Sequence, residues 1–322
     1  CLDYRGYHER MLQGFKKEWS SKGLGIYAGS HRMTKAKVIT KEDEQYPQLL
    51  KKIVDVPKKL YYKGNWSSKI FTYCLAVVGT RRMTSYGKRI CEELVGEIAA
   101  SGITIVSGFM YGIDATAHKA ALLVGGKTIA VMPCGIDLVH PEDQEDLYNE
   151  ILKTDGLILS EFEGGFKPLL WTYPKRNRIV AGLAQATLVV EAGEKSGSLI
   201  TANFAKQYGR KLFAIPGPLT SEVAKGTAQL LKEGANIVTC AKDVVDYFCS
   251  HHDFSLRFTP FLSERGPTRL QKNRGVHSSL EQKILEYLKR ESVNLDFLVR
   301  ALNVQASQVG AAISMLQLEG FI

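Results

Sequence analysis

The sequence predicts an α/β chain, in which a doubly wound, mostly parallel sheet is followed by a small helical module. Three observations carry this. Short runs rich in Val and Ile alternate with helical patterns between Thr72 and Cys249, the signature of βαβ units. The runs are continuously apolar, as strands covered on both faces are. The pattern then lapses over residues 251–277 and returns as three short helical segments.

Residues 1–37 are charged and read as the remnant of an N-terminal helical domain. Val38 to Asn65 place a short helix between extended pieces. Strands are then expected at TYCLAVVGT (72–80), ITIVSG (103–108), TIAVMP (128–133), GLILSE (156–161), ATLVVEA (186–192), KLFAIP (211–216) and NIVT (236–239). Helices are expected at 85–100, near 114–124, and at 143–153, 176–184, 198–208, 225–233 and 241–249. About seven strands in some 180 residues make one Rossmann-like domain rather than two, assigned to 38–250. Residues 251–277 read as a basic linker with Arg257, Arg265, Arg269, Lys272 and Arg274. Residues 278–322 read as a winged-helix-like domain. Ser278 and Glu281 form a capping-box pattern at its start, and a tight connection at Asn303-Val304 precedes its third helix. That third segment, ASQVGAAISMLQ, contains no Arg or Lys, which favours protein interaction over reading of DNA.

Composition excludes several classes. With 45% hydrophobic and 23% charged residues, the chain is ordinary globular material. No run approaches the roughly 18 apolar residues of a membrane span, and CLDYRGYHERM does not resemble a secretory signal. A cytoplasmic protein with no membrane insertion is expected. Because Cys1 and not Met stands first, the numbering is expected to start inside a longer protein. None of the six cysteines forms a CxxC pair, so buried free thiols are expected rather than a metal or redox site. The net charge of +9 and pI near 9.1 favour polyanionic partners, through release of phosphate counterions.

In a doubly wound sheet, ligands bind beyond the carboxyl ends of the strands. Three loops there carry candidate chemistry. Gly79-Thr80-Arg81-Arg82 ends the first strand; glycine admits close backbone approach, and hydroxyl and guanidinium groups suit phosphate oxygens. Tyr173-Pro174-Lys175-Arg176-Asn177-Arg178 places cations at a helix start beside an aromatic ring, with Trp171 two residues earlier; cations hold phosphate while a ring stacks on a base. Ser196-Gly197-Ser198 opens another helix, whose first-turn amides attract anions.

Two decoys are set aside. Ala121–Thr128 (ALLVGGKT) has the spacing of a relaxed phosphate loop, but it leaves a helix and enters a strand, the reverse of the order that aims helix amides at phosphate. Its glycines read as helix terminators. Asp114 and His118 share a helix face four residues apart. With no third partner, they read as structural or loop-positioning.

VVGTRR, SGFMYGIDATAH, YPKRNRIVAGLAQATLVVEA and SGSLITA, in this order, resemble the DNA-processing protein A family. ITKEDEQYPQLL, VPKKLYYKGN and AIPGPLTSEVAKGTAQLLKEGA fit the same family, so the resemblance covers about residues 38–248. It implies a protein without catalytic residues, metal or cofactor. Such a protein binds single-stranded DNA, forms a homodimer through its Rossmann domain near residues 225–249, and helps load the recombinase RecA during natural transformation. By the same resemblance, Gly79, Thr80 and Arg82 match a phosphate-binding loop. Tyr173 matches an aromatic of a base pocket, and Lys175, Arg176 and Asn177 match the adjacent basic stretch. Leu138-Val139-His140-Pro141 departs from the family's usual Tyr-Pro loop.

The alternative is a nucleotide-processing Rossmann hydrolase of the phosphoribohydrolase type, with a PGGxGTxxE motif. The matching loop here, EAGEKSGSLITA, lacks both the glycine-threonine pattern and the following Glu.

Overall fold

The computed structural model describes residues 35–251, 279–290, 295–302 and 304–318. The expected N-terminal remnant and the basic linker lie outside the described residues, except for residues 35–37 and His251. The chain divides into two compact units, Cys1–Thr259 and Pro260–Ile322.

The first unit is built on one nine-stranded sheet of order β1-β2-β6-β5-β4-β3-β7-β8-β9. Its strands are β1 (Lys37–Thr40), β2 (Lys59–Gly64), β3 (Cys74–Val78), β4 (Thr104–Ser107), β5 (Thr128–Gly135), β6 (Leu157–Phe162), β7 (Ala186–Val189), β8 (Lys211–Ala214) and β9 (Asn236–Ile237). From β6 to β9 every neighbouring pair is parallel. β1 and β2 form an antiparallel pair added to the free edge of β6, so the extended pieces on either side of the 3-10 turn at Leu50–Lys52 belong to the sheet. Their half-exposed sequences, KVIT and KLYYKG, suit an edge that needs covering on one face only.

The helices are α1 (Ser85–Ala100), α2 (Ile113–Leu123), α3 (Glu145–Lys153), α4 (Thr172–Leu183), α5 (Ser198–Gln207), α6 (Lys225–Lys232) and α7 (Ala241–His251). β3 shows how they clamp the sheet. All five of its residues are buried. Cys74, Ala76 and Val78 point into a core shared with Ile179, Val180, Leu183, Ala202 and Leu230 of α4, α5 and α6. Leu75 and Val77 point the other way, against Leu94, Ile98, Ile113, Ala117 and Phe248 of α1, α2 and α7. Alternate residues of one strand thus feed two cores, which is why the apolar runs are continuous.

Three local details differ from the sequence reading or sharpen it. Helix α4 begins at Thr172, four residues before its expected start. Pro174 is tolerated because first-turn amides have no intrahelical acceptor, and the Thr172 hydroxyl donates to the Leu169 carbonyl at 2.8 Å. At the false phosphate loop, α2 ends as expected: Gly125 has φ +69°, and the Gly126 amide donates back to Ala121. Cys74, Cys91 and Cys134 are buried, and burial raises each thiol's pKa. Cys240 and Cys249 are exposed, because they lie at the start and on the outer side of α7.

The second unit contains α8 (Ser279–Arg290), α9 (Leu295–Leu302) and α10 (Ala306–Leu318). Ile284, Leu298, Val309, Ala312 and Leu316 form their shared core, one residue each from α8 and α9 and three from α10. Ser278 of the capping-box pattern lies outside the described residues.

Candidate functional site

The parallel strands release their loops on one rim of the sheet. β3 leads through β4 and β5 to β6 on one side, and the chain then returns through α4 to β7 on the other side of β3. The crevice of a doubly wound sheet lies at such a reversal. Here it falls between the loops after β3 and β7.

These two loops are stitched together. The Thr80 amide donates to the Glu191 carbonyl at 2.7 Å. The buried Glu191 carboxylate receives the Thr84 amide at 2.9 Å and the Thr84 hydroxyl at 2.5 Å. Thr84 in turn caps α1, accepting from the Gly87 amide at 3.1 Å. Glu191 is therefore committed to holding the Gly79–Arg82 loop. Gly112 closes the loop from the other side. It adopts φ +74°, and a Cβ there would stand 2.3 Å from the Thr80 carbonyl oxygen, so only glycine fits.

On this frame Arg81 and Arg82 are exposed. The Arg81 guanidinium lies 5.0 Å from the centre of the Tyr173 ring, within cation–π range. The Tyr173 hydroxyl pairs with His140 Nε2 at 2.8 Å. Burial and the nearby Arg81 cation hold His140 below its ordinary pKa. The departing Leu138–Pro141 loop thus orients the ring that the basic loop faces.

The basic cluster of α4 divides. Lys175 is partly exposed; its Nζ lies 5.6 Å and 5.8 Å from the ring centres of Phe162 and Trp171 and 3.7 Å from Glu161. Arg176 and Arg178 are buried, contrary to the expectation of phosphate contact. Arg176 Nη1 donates to the carbonyls of Gly108, just past β4, and of Val131, within β5. Its Nε donates to Asn177 Oδ1 at 3.1 Å, and Asn177 Nδ2 donates to the Gly197 carbonyl at 3.3 Å. Arg176-Asn177 is thus a cross-brace beneath the rim, from β4 and β5 to the turn after β7. Arg178 holds both Glu161 oxygens at 2.6 Å and Asp55 Oδ2 at 3.1 Å. It fastens the segment around Asp55 to α4 and β6. The reason both are buried is position: with α4 starting at Thr172, both arginines lie a full turn into the helix and face the sheet.

The Ser196 turn is also occupied from within. The Ser196 amide donates to Gly193, that of Leu199 to Ser196 and that of Ile200 to Gly197. The hydroxyls of Ser196 and Ser198 pair at 2.8 Å, and Ser198 is buried. The expected row of open amides is therefore largely closed, and this turn shapes the crevice next to Asn177.

Asp114 and His118 do not bond to each other. Asp114 is buried beside Arg176. Burial raises its pKa to about 6, with the Arg176 cation pulling the other way. Both crowd Gly108: a Cβ there would stand 2.6 Å from Asp114 Oδ2 and 2.7 Å from Arg176 Cζ. The next residue, Phe109, has φ +58°, a left-handed conformation that costs on the order of 1–3 kcal/mol in a residue other than glycine. Its ring lies between His118 and Tyr148, and Gln144 Nε2 donates to its carbonyl at 3.2 Å.

His118 stands 2.6 Å from Thr128 Oγ1, which itself donates to the Ile105 carbonyl. Thr128 must therefore accept, so the His118 proton is on Nδ1, and buried Nε2 has no partner. Burial lowers the His118 pKa to about 3 from 6.5. The folded value is the lower one, so between those pH values the unfolded chain binds the extra proton and acid weakens the fold. In His118→Gln, urea midpoints measured from pH 6 to 4 are expected to give a stability slope shallower by about 1.4 kcal/mol per pH unit. An unchanged slope would show that His118 does not titrate in this way.

Phe162, Phe166, Leu169 and Leu170 were not singled out in the sequence, although they stand at the same rim. A loop as apolar as FEGGFKPLLW (162–171), just past a strand end, was the available signal. Among the described residues no group of three or more His, Cys, Asp or Glu is placed to hold a metal. No described helix is long and apolar enough to cross a membrane.

The fold and rim define a doubly wound α/β protein whose switch point presents arginines and aromatic rings rather than a dinucleotide fingerprint. Residues 37–249 match the family model described as DNA recombination-mediator protein A, and residues 271–322 match the DprA winged helix domain. The chain belongs to the DNA recombination-mediator protein A family, known as DprA or Smf, which is not catalytic. It is 39% identical to Protein Smf of Escherichia coli over 227 residues, covering 70% of this chain and 59% of that protein. It is 42% identical to DNA processing protein DprA of Streptococcus pneumoniae over 206 residues, covering 64% and 72% of the two chains. The crystal structure of the Streptococcus protein superposes with a TM-score of 0.62 at 37% identity, covering 76% of this chain and 82% of that one. DNA processing protein A of Helicobacter pylori, described for its unique single-stranded DNA binding mode, gives 0.61 at 31% identity, covering 69% and 99%. The chain spans about 60% of the length of its Synechocystis and Escherichia relatives.

Proposed function

We propose that this chain binds single-stranded DNA along the carboxyl rim of its sheet and acts as a recombination mediator. In this role it protects incoming DNA and helps load RecA during natural transformation in the cytoplasm. The observation that carries the reading is the pairing of exposed Arg81 with the Tyr173 ring at the switch point, flanked by Arg82 and Lys175. A cation over an aromatic face serves a strand whose phosphates and bases alternate. Family membership and the DNA binding described for the Helicobacter protein support it. Gly79 and Thr80 shape the phosphate loop, and Arg176, Asn177, Ser196, Gly197 and Ser198 position it from beneath; Arg178 leaves the contact set. The homodimer through residues near 225–249 is part of the same reading. So is a protein-interaction role for the second unit, whose last helix lacks Arg and Lys.

The test is titration of labelled oligothymidylate with the full chain at two salt concentrations, with duplex as competitor. Binding is expected to weaken steeply with salt, with a log–log slope of about −0.7 for each phosphate neutralised, and duplex is expected to compete poorly. Salt-independent binding, or none, would sink the reading.

A further inference from the structure

The basic loop and Tyr173 occupy one side of the start of α4. A second aromatic group stands on the other side. The rings of Phe162 and Phe166 stack at 4.8 Å and 15°. Trp171 meets both edge-on, at 5.7 Å and 6.2 Å. Trp171 is 51% exposed and Phe166 37%, beside Leu169 at 48% and Leu170 at 92%. This concentration of apolar side chains belongs to a firmly held segment. The Gly135 amide donates to the Phe166 carbonyl, that of Ile136 to Phe162 and that of Asp137 to Gly164. A fixed, exposed set of large rings marks a contact surface. Two cations stand at its rim, Lys175, which reaches over Phe162 and Trp171 and also meets Glu161, and exposed Lys167, which follows Phe166; Glu163 of the same segment is exposed and receives the Tyr61 hydroxyl.

We infer that Phe162, Phe166 and Trp171 form a second base-stacking platform. It would receive nucleobases of a strand whose phosphates are held at Arg81 and Arg82, with Lys175 bridging the two places. The inference rests on the proposed DNA binding and deepens it, extending the track from the switch point out to the end of β6. Charge selects the occupant: Lys175 over the ring faces and exposed Lys167 beside them suit the alternation of base and phosphate, whereas a purely apolar partner would have to desolvate both ammonium groups, of which Lys175 has Glu161 at 3.7 Å.

The test uses the full chain, with Phe166→Ala, Trp171→Ala and Arg81→Ala, and oligothymidylates of two lengths. One set carries abasic sites through its distal half. Each ring removed is expected to weaken binding of the longer normal strand by about 5- to 100-fold. The salt slope should not change, and the abasic strand should be bound equally by wild type and ring variants. Trp171→Phe, which keeps a ring, should retain affinity while losing part of the fluorescence quenching seen on binding. Ring variants that bind like wild type while Arg81→Ala is impaired would overturn the platform and leave the DNA reading standing. A ring variant that changes sedimentation mass but not affinity would assign the patch to self-association instead. Failure of all proteins to bind would overturn both.

Discussion

Arg176→Ala is expected to destabilise the α/β unit by about 3–5 kcal/mol, the cost of removing one partner from a buried charged pair. The guanidinium is 4% exposed and donates to two main-chain carbonyls from different strands. Its loss leaves the Gly108 and Val131 oxygens short of a donor and Asp114 buried without its cation. Burial already raises the Asp114 pKa, and the Arg176 cation is the first opposing influence. In the variant the carboxyl is therefore expected to take up a proton at a still higher pH. Urea denaturation at pH 7.5 checks the stability loss. Arg176→Lys should recover only part of it, since an ammonium could reach the two carbonyls but has no second nitrogen to replace Nε, which donates to Asn177 Oδ1. Binding of single strands should fall only as far as the rim loosens, with the salt slope unchanged. A variant of wild-type stability with a flattened salt slope would return Arg176 to direct phosphate contact.

That expectation could not be read from the sequence, and the reason is specific. Lys175, Arg176 and Arg178 look equivalent in YPKRNR, because charge and spacing do not say which side of a helix meets the sheet. Placing the helix start at residue 176 leaves every cation at an open terminus; starting it at Thr172 turns two of them inward. Their partners, Gly108, Val131, Glu161 and Asp55, lie 17 to 123 residues away in sequence, so only tertiary packing names them. Six of the seven parallel strands were legible because burial on both faces leaves continuous apolar runs; the two residues of β9, at the edge, are exposed. β1 and β2 were less so, since edge strands such as KLYYKG mix lysine and tyrosine. The rim itself followed from connectivity: parallel strands joined by helices must release their loops on one edge. For that reason Gly79–Arg82, Tyr173 and Ser196 came together although their individual contacts were unforeseen. The serine turn misled because glycine and small residues signal exposed amides, yet here they also allow a tight turn that occupies those amides itself.

Arg81→Ala should show the opposite profile, with a large loss of binding and little change in stability. Arg81 is exposed; its contact with the Tyr173 ring is worth about 0.5–1 kcal/mol at such a site, so urea midpoints should barely move. Its proposed partner is a phosphate. A charge-assisted hydrogen bond contributes about 1.5–3 kcal/mol, a loss of roughly 10- to 150-fold in affinity for oligothymidylate at low salt. One fewer phosphate neutralised should make the log–log salt slope shallower by about 0.7. Arg82→Ala separates the two arginines. The resemblance assigns the phosphate to Arg82, whereas the geometry places Arg81 over the ring. If Arg81 holds the phosphate next to a stacked base, its removal should also weaken the effect of Tyr173→Ala, giving a non-additive double-mutant cycle. Additive losses from Arg81 and Tyr173, or a salt slope that changes only in Arg82→Ala, would move the phosphate to Arg82 and leave Arg81 as a support for the ring.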